Sequence, residues 1–222
     1  MSKKINITRS WSMPNKNTFD ILPIKEFIEK NKTEGIIIDP FANRNRIATI
    51  TNDLDEQYDT DYHLDALEFL KLFDDNSVDM VLYDPPYSPR QVSECYKALD
   101  KTVNMSTTQA SYWSNHKKEI SRIVKNGGKV ITFGWNSGGI GKKYGFEITD
   151  ILMVAHGGWH NDTLCTLEVK KVKKDKNKKN EKSKINIINK QDKTKNNDKN
   201  LEQISLFLWC PIFHNLNTWA II

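Results

Sequence analysis

"VDMVLYDPPY", Val78 to Tyr87, joins an apolar run to a segment that can extend neither a strand nor a helix. The run from Val78 to Tyr83 has the length and apolar character of a buried strand. Two consecutive prolines, Pro85 and Pro86, then remove backbone donors and fix φ, so pairing must stop near Asp84. A carboxylate, a stiff backbone and the ring of Tyr87 are thereby held side by side where a strand ends. In open parallel sheets that end is where ligands bind.

The flanking sequence repeats the pattern. "GIIIDP" is a short apolar strand closed by Asp39-Pro40, and "RIATITNDLD" holds a second, Ile47 to Thr51, again followed by acids. A helix is predicted from about Pro23 with Ile24, Phe27 and Ile28 on one face, and another within "HLDALEFLKLF". "QASYWSNHKKEISRIVKNGG" reads as a helix closed by Gly127-Gly128, and "KVITFGW" as the strand after it. "GFEITDILMVAHGG" and "DTLCTLEVKKV" read as two late strands joined by a tight Gly-Gly turn. Residues 88–112 show little periodicity after Leu99 and are expected to be a mobile connection that folds on substrate, or an ordinary crossover. The alternation predicts an α/β fold: a Rossmann-like, mostly parallel sheet with an antiparallel hairpin at one edge.

The Asp-Pro-Pro-Tyr cluster suits attack by an exocyclic amine of a nucleobase. Such an amine delocalises its lone pair into the ring and is a poor nucleophile. Two acceptors on its hydrogens, Asp84 and the carbonyl of Pro85, would localise that pair. The carboxylate would also offset the positive charge developing on nitrogen. Tyr87 offers a face on which an extruded base can stack. Asp84, Pro85, Pro86 and Tyr87 are the candidate catalytic residues.

With "DPFA" at Asp39–Ala42 followed by "DPPY" at Asp84–Tyr87, the chain resembles adenine-N6 DNA methyltransferases that use S-adenosylmethionine. The resemblance covers roughly residues 8–170. It implies that Asp39, Pro40 and Phe41 contact the methionine part of the cofactor, that Asp53 (or Asp55) holds the ribose hydroxyls, and that Asp65 contacts the adenine. It also implies that the N-terminal segment "WSMPNKNTF", residues 11–19, closes over the cofactor, with Trp11, Ser12 and Met13 nearest. The family's glycine-rich loop is replaced here by "ANRNR". Two alternatives therefore stand beside DNA methylation: an RNA base methyltransferase, and a catalytically silent nucleic-acid-binding module of the same fold.

Charge divides the chain. Residues 169–200 carry 13 Lys against 4 acidic residues, a local +9 within a chain of +5, leaving −4 on the remainder. With few apolar residues this segment cannot offset its own ordering entropy, which predicts a disordered linker between a catalytic domain, 1–168, and an apolar tail, 201–222. "QISLF", Gln203 to Phe207, resembles the pentapeptide by which bacterial replication and repair proteins bind the sliding clamp; a short element packed on the body is the competing reading. Cys95, Cys165 and Cys210 form no CxxC pair, no metal site is expected, and neither a signal peptide nor a membrane span is visible, so a cytoplasmic setting is expected.

Two further stretches are weighed and set aside. "GWNSGGIGKK", Gly134–Lys143, fails the spacing of a phosphate-binding loop. "HGGWHND", His156–Asp162, lacks a third metal ligand; for Trp135 and Trp159 core packing is expected, with contact to DNA as the other reading.

Overall fold

The computed structural model describes residues 4–103 and 109–172. Residues through Val172 form one compact unit. Most of the Lys-rich segment and the whole tail, with Gln203 to Phe207, lie outside the described residues.

The seven strands are β1 (Asn6–Trp11), β2 (Ile37–Asp39), β3 (Ile50–Thr51), β4 (Val78–Tyr83), β5 (Val124–Gly134), β6 (Phe146–Ala155) and β7 (Thr163–Lys170). They form a single sheet in the order β1-β6-β7-β5-β4-β2-β3. All pairings are parallel except those of β7, which runs against β5 and β6. The fold is thus the mostly parallel, Rossmann-like sheet read from the sequence. The antiparallel β6–β7 pair lies one strand in from the edge, because β1 pairs outside β6. β1 is exposed along most of its length and carries no apolar alternation, so nothing in its sequence marks it as a strand.

β4 explains why helices cover both faces. Met80 and Leu82 point into a core with Ile24 and Ile28 of helix α1 (Leu22–Asn31). Val81 and Tyr83 point the other way, toward Phe69 and Leu70 of α2 (Ala66–Lys71) and Ile120 and Ile123 of α4 (Ala110–Ile123). Alternate residues of one strand thus nucleate two cores.

Three sequence expectations are corrected. β3 is shorter than Ile47 to Thr51, because the Thr49 hydroxyl donates to the Ile37 carbonyl at 2.7 Å and accepts from the Ile37 N–H at 2.8 Å, replacing ladder bonds. α4 ends at Ile123, not at the glycine pair. Gly127 and Gly128 instead form a bulge in β5, where β4 advances from Val78 to Met80 while its partner advances from Val124 to Lys129. A Cβ on Gly128 would stand 2.7 Å from the Val124 side chain and 3.0 Å from the Asp79 carbonyl, so only glycine fits. Finally, part of the expected 88–112 connection is helix α3 (Pro89–Ala98). The Ser88 hydroxyl accepts from the Gln91 N–H at 3.2 Å to cap it, Pro89 opens it, and Val92 and Tyr96 bury one face.

β7 also runs through Val169 and Lys170, two residues into the segment read as linker. Among the described residues no helix is long and apolar enough to cross a membrane.

Leu82→Ala should destabilise the protein by about 2–5 kcal/mol, since the side chain is fully buried between helix and sheet. Denaturant unfolding measures this; a change below about 1 kcal/mol would contradict the packing described.

Candidate active site

The chain leaves β2 toward β3 on one side, and β4 lies on the other, so the crevice between β2 and β4 is the topological switch point of the sheet. The loops after the parallel strands meet there around a cavity of ≈ 750 Å³. Asp84, Pro85, Pro86 and Tyr87 line it. So do Pro40, Phe41, Asp53 and Asp65, on the opposing loops. Asp39 is buried behind the lining rather than in it. Trp11, Ser12 and Met13 fall outside the lining, which begins at Pro14 and continues through Phe19. The N-terminal wall is thus the later part of the segment "WSMPNKNTF".

The Asp-Pro-Pro-Tyr turn is held from several sides. Tyr87 donates its hydroxyl to Asp84 Oδ1 at 2.5 Å, and its N–H to Gln91 Oε1 at 2.6 Å. Trp113 Nε1 donates to the Pro86 carbonyl at 2.9 Å, fastening the turn to α4. Burial raises the Asp84 carboxyl above the usual range, against hydrogen bonds from the Tyr87 and Thr18 hydroxyls. Thr18, within the N-terminal segment read as closing over the site, opens a short 3-10 helix, Thr18–Asp20.

The loops facing the Asp-Pro-Pro-Tyr turn are stitched by a residue the sequence reading passed over. Asn52 is fully buried. Its amide donates to the carbonyls of Pro40 and Leu64, both at 3.0 Å, and accepts from the Leu64 N–H at 2.9 Å. One side chain thus joins the loop after β2 to the segment before α2. The only signal was its place: a polar residue directly after a strand and before Asp53.

Asp53 accepts from the N–H groups of Asn43 at 2.8 Å and Asp55 at 2.9 Å. Asp65 caps α2 by accepting from the Leu67 N–H at 2.9 Å and takes the Tyr96 hydroxyl on its other oxygen. Burial pushes Asp39 well above the ordinary carboxyl range, the Phe41 N–H opposes this, and the charges of Asp84 and Asp53 add to it. Asp53 is raised chiefly by burial as well. A cluster of desolvated, mutually repelling carboxyls is an electrostatic fit for a bound cation.

The remaining sequence candidates resolve differently. His156 follows β6, with Nδ1 2.9 Å from the Ser12 carbonyl and Nε2 2.9 Å from the Thr163 hydroxyl, so its ring ties the ends of neighbouring strands together. In the Gly134–Lys143 loop, the N–H groups of Ile140 and Gly141 donate to the buried carboxyl of Glu168, at 2.5 and 2.9 Å, which leaves those donors engaged where a phosphate loop would present them. Trp135 and Trp159 are not core residues: the first is 43% exposed and the second fully exposed, because both stand on loops beyond the strand ends.

No protein-family model and no curated protein matches the sequence. Among solved structures, the chain is similar to TrmN from Thermus thermophilus, at 15% identity and a TM-score of 0.45, over 68% of this chain and 49% of that one. This chain thus spans about half the length of TrmN. It is also similar to 1,6-didemethyltoxoflavin-N1-methyltransferase from Burkholderia thailandensis, solved with bound 1,6-didemethyltoxoflavin and S-adenosylhomocysteine, at 10% identity and a TM-score of 0.46, over 67% of this chain and 76% of that one.

Between the ordinary aspartate pKa and the raised value of Asp39, the native state keeps a proton that the unfolded chain has lost. Stability therefore falls as pH rises through that window and stays lower above it. Asp39→Asn keeps the acceptor for the Phe41 N–H and removes the charge. It should raise the Tm of the ligand-free protein at pH 7, by about 2–4 °C per kcal/mol released, and have little effect below about pH 4. Calorimetry at the two pH values checks this; an equal shift at both would show that charge is not the cause.

Proposed function

We propose that the chain is an S-adenosylmethionine-dependent methyltransferase acting on the N6 amine of adenine, in DNA. The observation that supports this best is the shared cavity: Asp84, Pro85 and Tyr87 open onto the same space as Phe41, Asp53 and Asp65. The cavity fits the cofactor on chemical grounds, since Asp53 and Asp65, on the wall opposite Asp84, present acceptors for its ribose hydroxyls and adenine amine. When bound, the cofactor supplies a methyl group on a positively charged sulfur that is its own leaving group.

In this reading Asp53 binds the ribose hydroxyls, and Asp65 the adenine of the cofactor, while the loop Asp39–Phe41 faces the methionine part. The N-terminal wall from Pro14 to Phe19, with Trp11, Ser12 and Met13 before it, closes the site. The target base stacks on Tyr87, whose hydroxyl leaves Asp84 as the amine arrives. Asp84 accepts one amine hydrogen and the Pro85 carbonyl the other. As the N–C bond forms, the nitrogen must shed a proton. The raised Asp84 carboxyl is a better base for that proton than an exposed one. Binding of a sliding clamp by Gln203 to Phe207 belongs to the same proposal and stands on the sequence alone.

Asp84→Ala should lower turnover on an adenine-containing DNA by at least about 10²–10³-fold, while calorimetric binding of S-adenosylmethionine stays close to wild type. Mass spectrometry of the base reads N6-methyladenine directly, and near-normal methylation would overturn the assignment. Ribo-oligonucleotides in the same assay separate DNA from RNA as substrate.

The Lys-rich segment should add salt-dependent affinity with no base preference, each neutralised phosphate contributing a slope near about −0.9 in a log–log plot for duplex DNA. Deleting residues 173–200 should flatten that slope and leave the methylated site unchanged; an altered site would mean the segment reads bases.

A further inference from the structure

The loop between β6 and β7 presents one large side chain with no packing role. Trp159 is fully exposed and yet lines the cavity that holds Asp84. Gly157 and Gly158 precede it, with φ of +70° and +59°, left-handed values that suit glycine and set the tight turn. The base of the loop is anchored. His156 bridges Ser12 and Thr163, the His160 N–H donates to the Gly157 carbonyl at 3.3 Å, and Trp11 Nε1 lies 3.5 Å from where a Gly157 Cβ would be. A fixed stem thus carries an unpacked indole at the rim.

A second aromatic continues inward. Trp135, 43% exposed, also lines the cavity and meets Tyr87 edge-on, with centroids 5.5 Å apart. Trp159, Trp135 and Tyr87 thus all present aromatic surface to one cavity, the last two in contact with each other. Folding does not call for this: an exposed indole on a loop tip contributes nothing to the core, and water is a poor neighbour for it. A nucleobase is the natural partner, because every base offers a π-face to an indole.

We propose that Trp159 stacks on the nucleobase adjoining the target in an unpaired strand, so that this site takes single-stranded nucleic acid. This rests on the methyltransferase reading for the target itself. In a duplex the adjoining base is already stacked on its neighbours, and the platform has no free face to meet. In an unpaired strand the base is available without that loss.

The test uses the full chain and a single-stranded oligodeoxynucleotide with one adenine and 2-aminopurine next to it. Wild type should bind it with a change in 2-aminopurine fluorescence, whether or not methyl transfer follows. Trp159→Ala should weaken binding and raise KM by roughly tenfold, within the range of base–aromatic stacking, with kcat, Tm and S-adenosylhomocysteine binding unchanged. Trp159→Phe should restore most of the affinity. The same duplex oligonucleotide should bind less tightly and respond little to either substitution. Unchanged binding in Trp159→Ala, failure of phenylalanine to rescue, or tighter binding of the duplex would each overturn the proposal. If wild type binds as expected but methylates nothing, the enzymatic reading fails and the platform stands; if Trp159→Ala methylates the strand with the KM of wild type, the platform fails and the enzymatic reading stands.

Discussion

Because β4 is buried on both faces, the chain can present chemistry from it only at its ends. The two prolines after Asp84 make that end stiff, and Gln91 and Trp113 clamp it from two different helices. Everything proposed for the site follows from this constraint. The loops of β2 and β3 supply the other wall, and their position depends in turn on the Asn52 amide. A rigid turn on one side and a stitched pair of loops on the other leave a defined gap at the switch point of the sheet.

The same arrangement carries an electrostatic cost. Carboxyls that repel one another across a desolvated gap make the ligand-free protein less stable than a neutral lining would. Polar caps soften this without removing it: backbone N–H groups reach Asp39 and Asp53, and hydroxyls reach Asp84.

Much of the fold was legible because it is written locally. A short apolar run followed by Asp-Pro marks a strand end whatever surrounds it, and both such runs became adjacent strands. The cavity acids were legible for the same reason. What was missed depends on partners far away in sequence. The glycine pair at Gly127 and Gly128 looks like a helix stop until β4 is placed beside it. β1 has no apolar face of its own and exists as a strand because β6 offers an edge. Thr18 and Asn52 gained roles only through contacts the chain makes after folding. For Trp159 core packing was favoured over contact with DNA because tryptophan usually packs, and the exposed loop position removes the packing reading.

The pairing of β1 with β6 has a consequence in time. Its register joins Asn6 to Asp150, so β1 finds its partner only after the residues between them have been synthesised. Until then Pro14 to Phe19, which run on from β1, have no fixed anchor at that side. Long-range pairing of this kind is slow, since loop closure precedes its reward. The wall that closes the cavity is thus among the last parts to settle during synthesis, and a nascent chain would acquire its binding site late, after the sheet behind it is already in place.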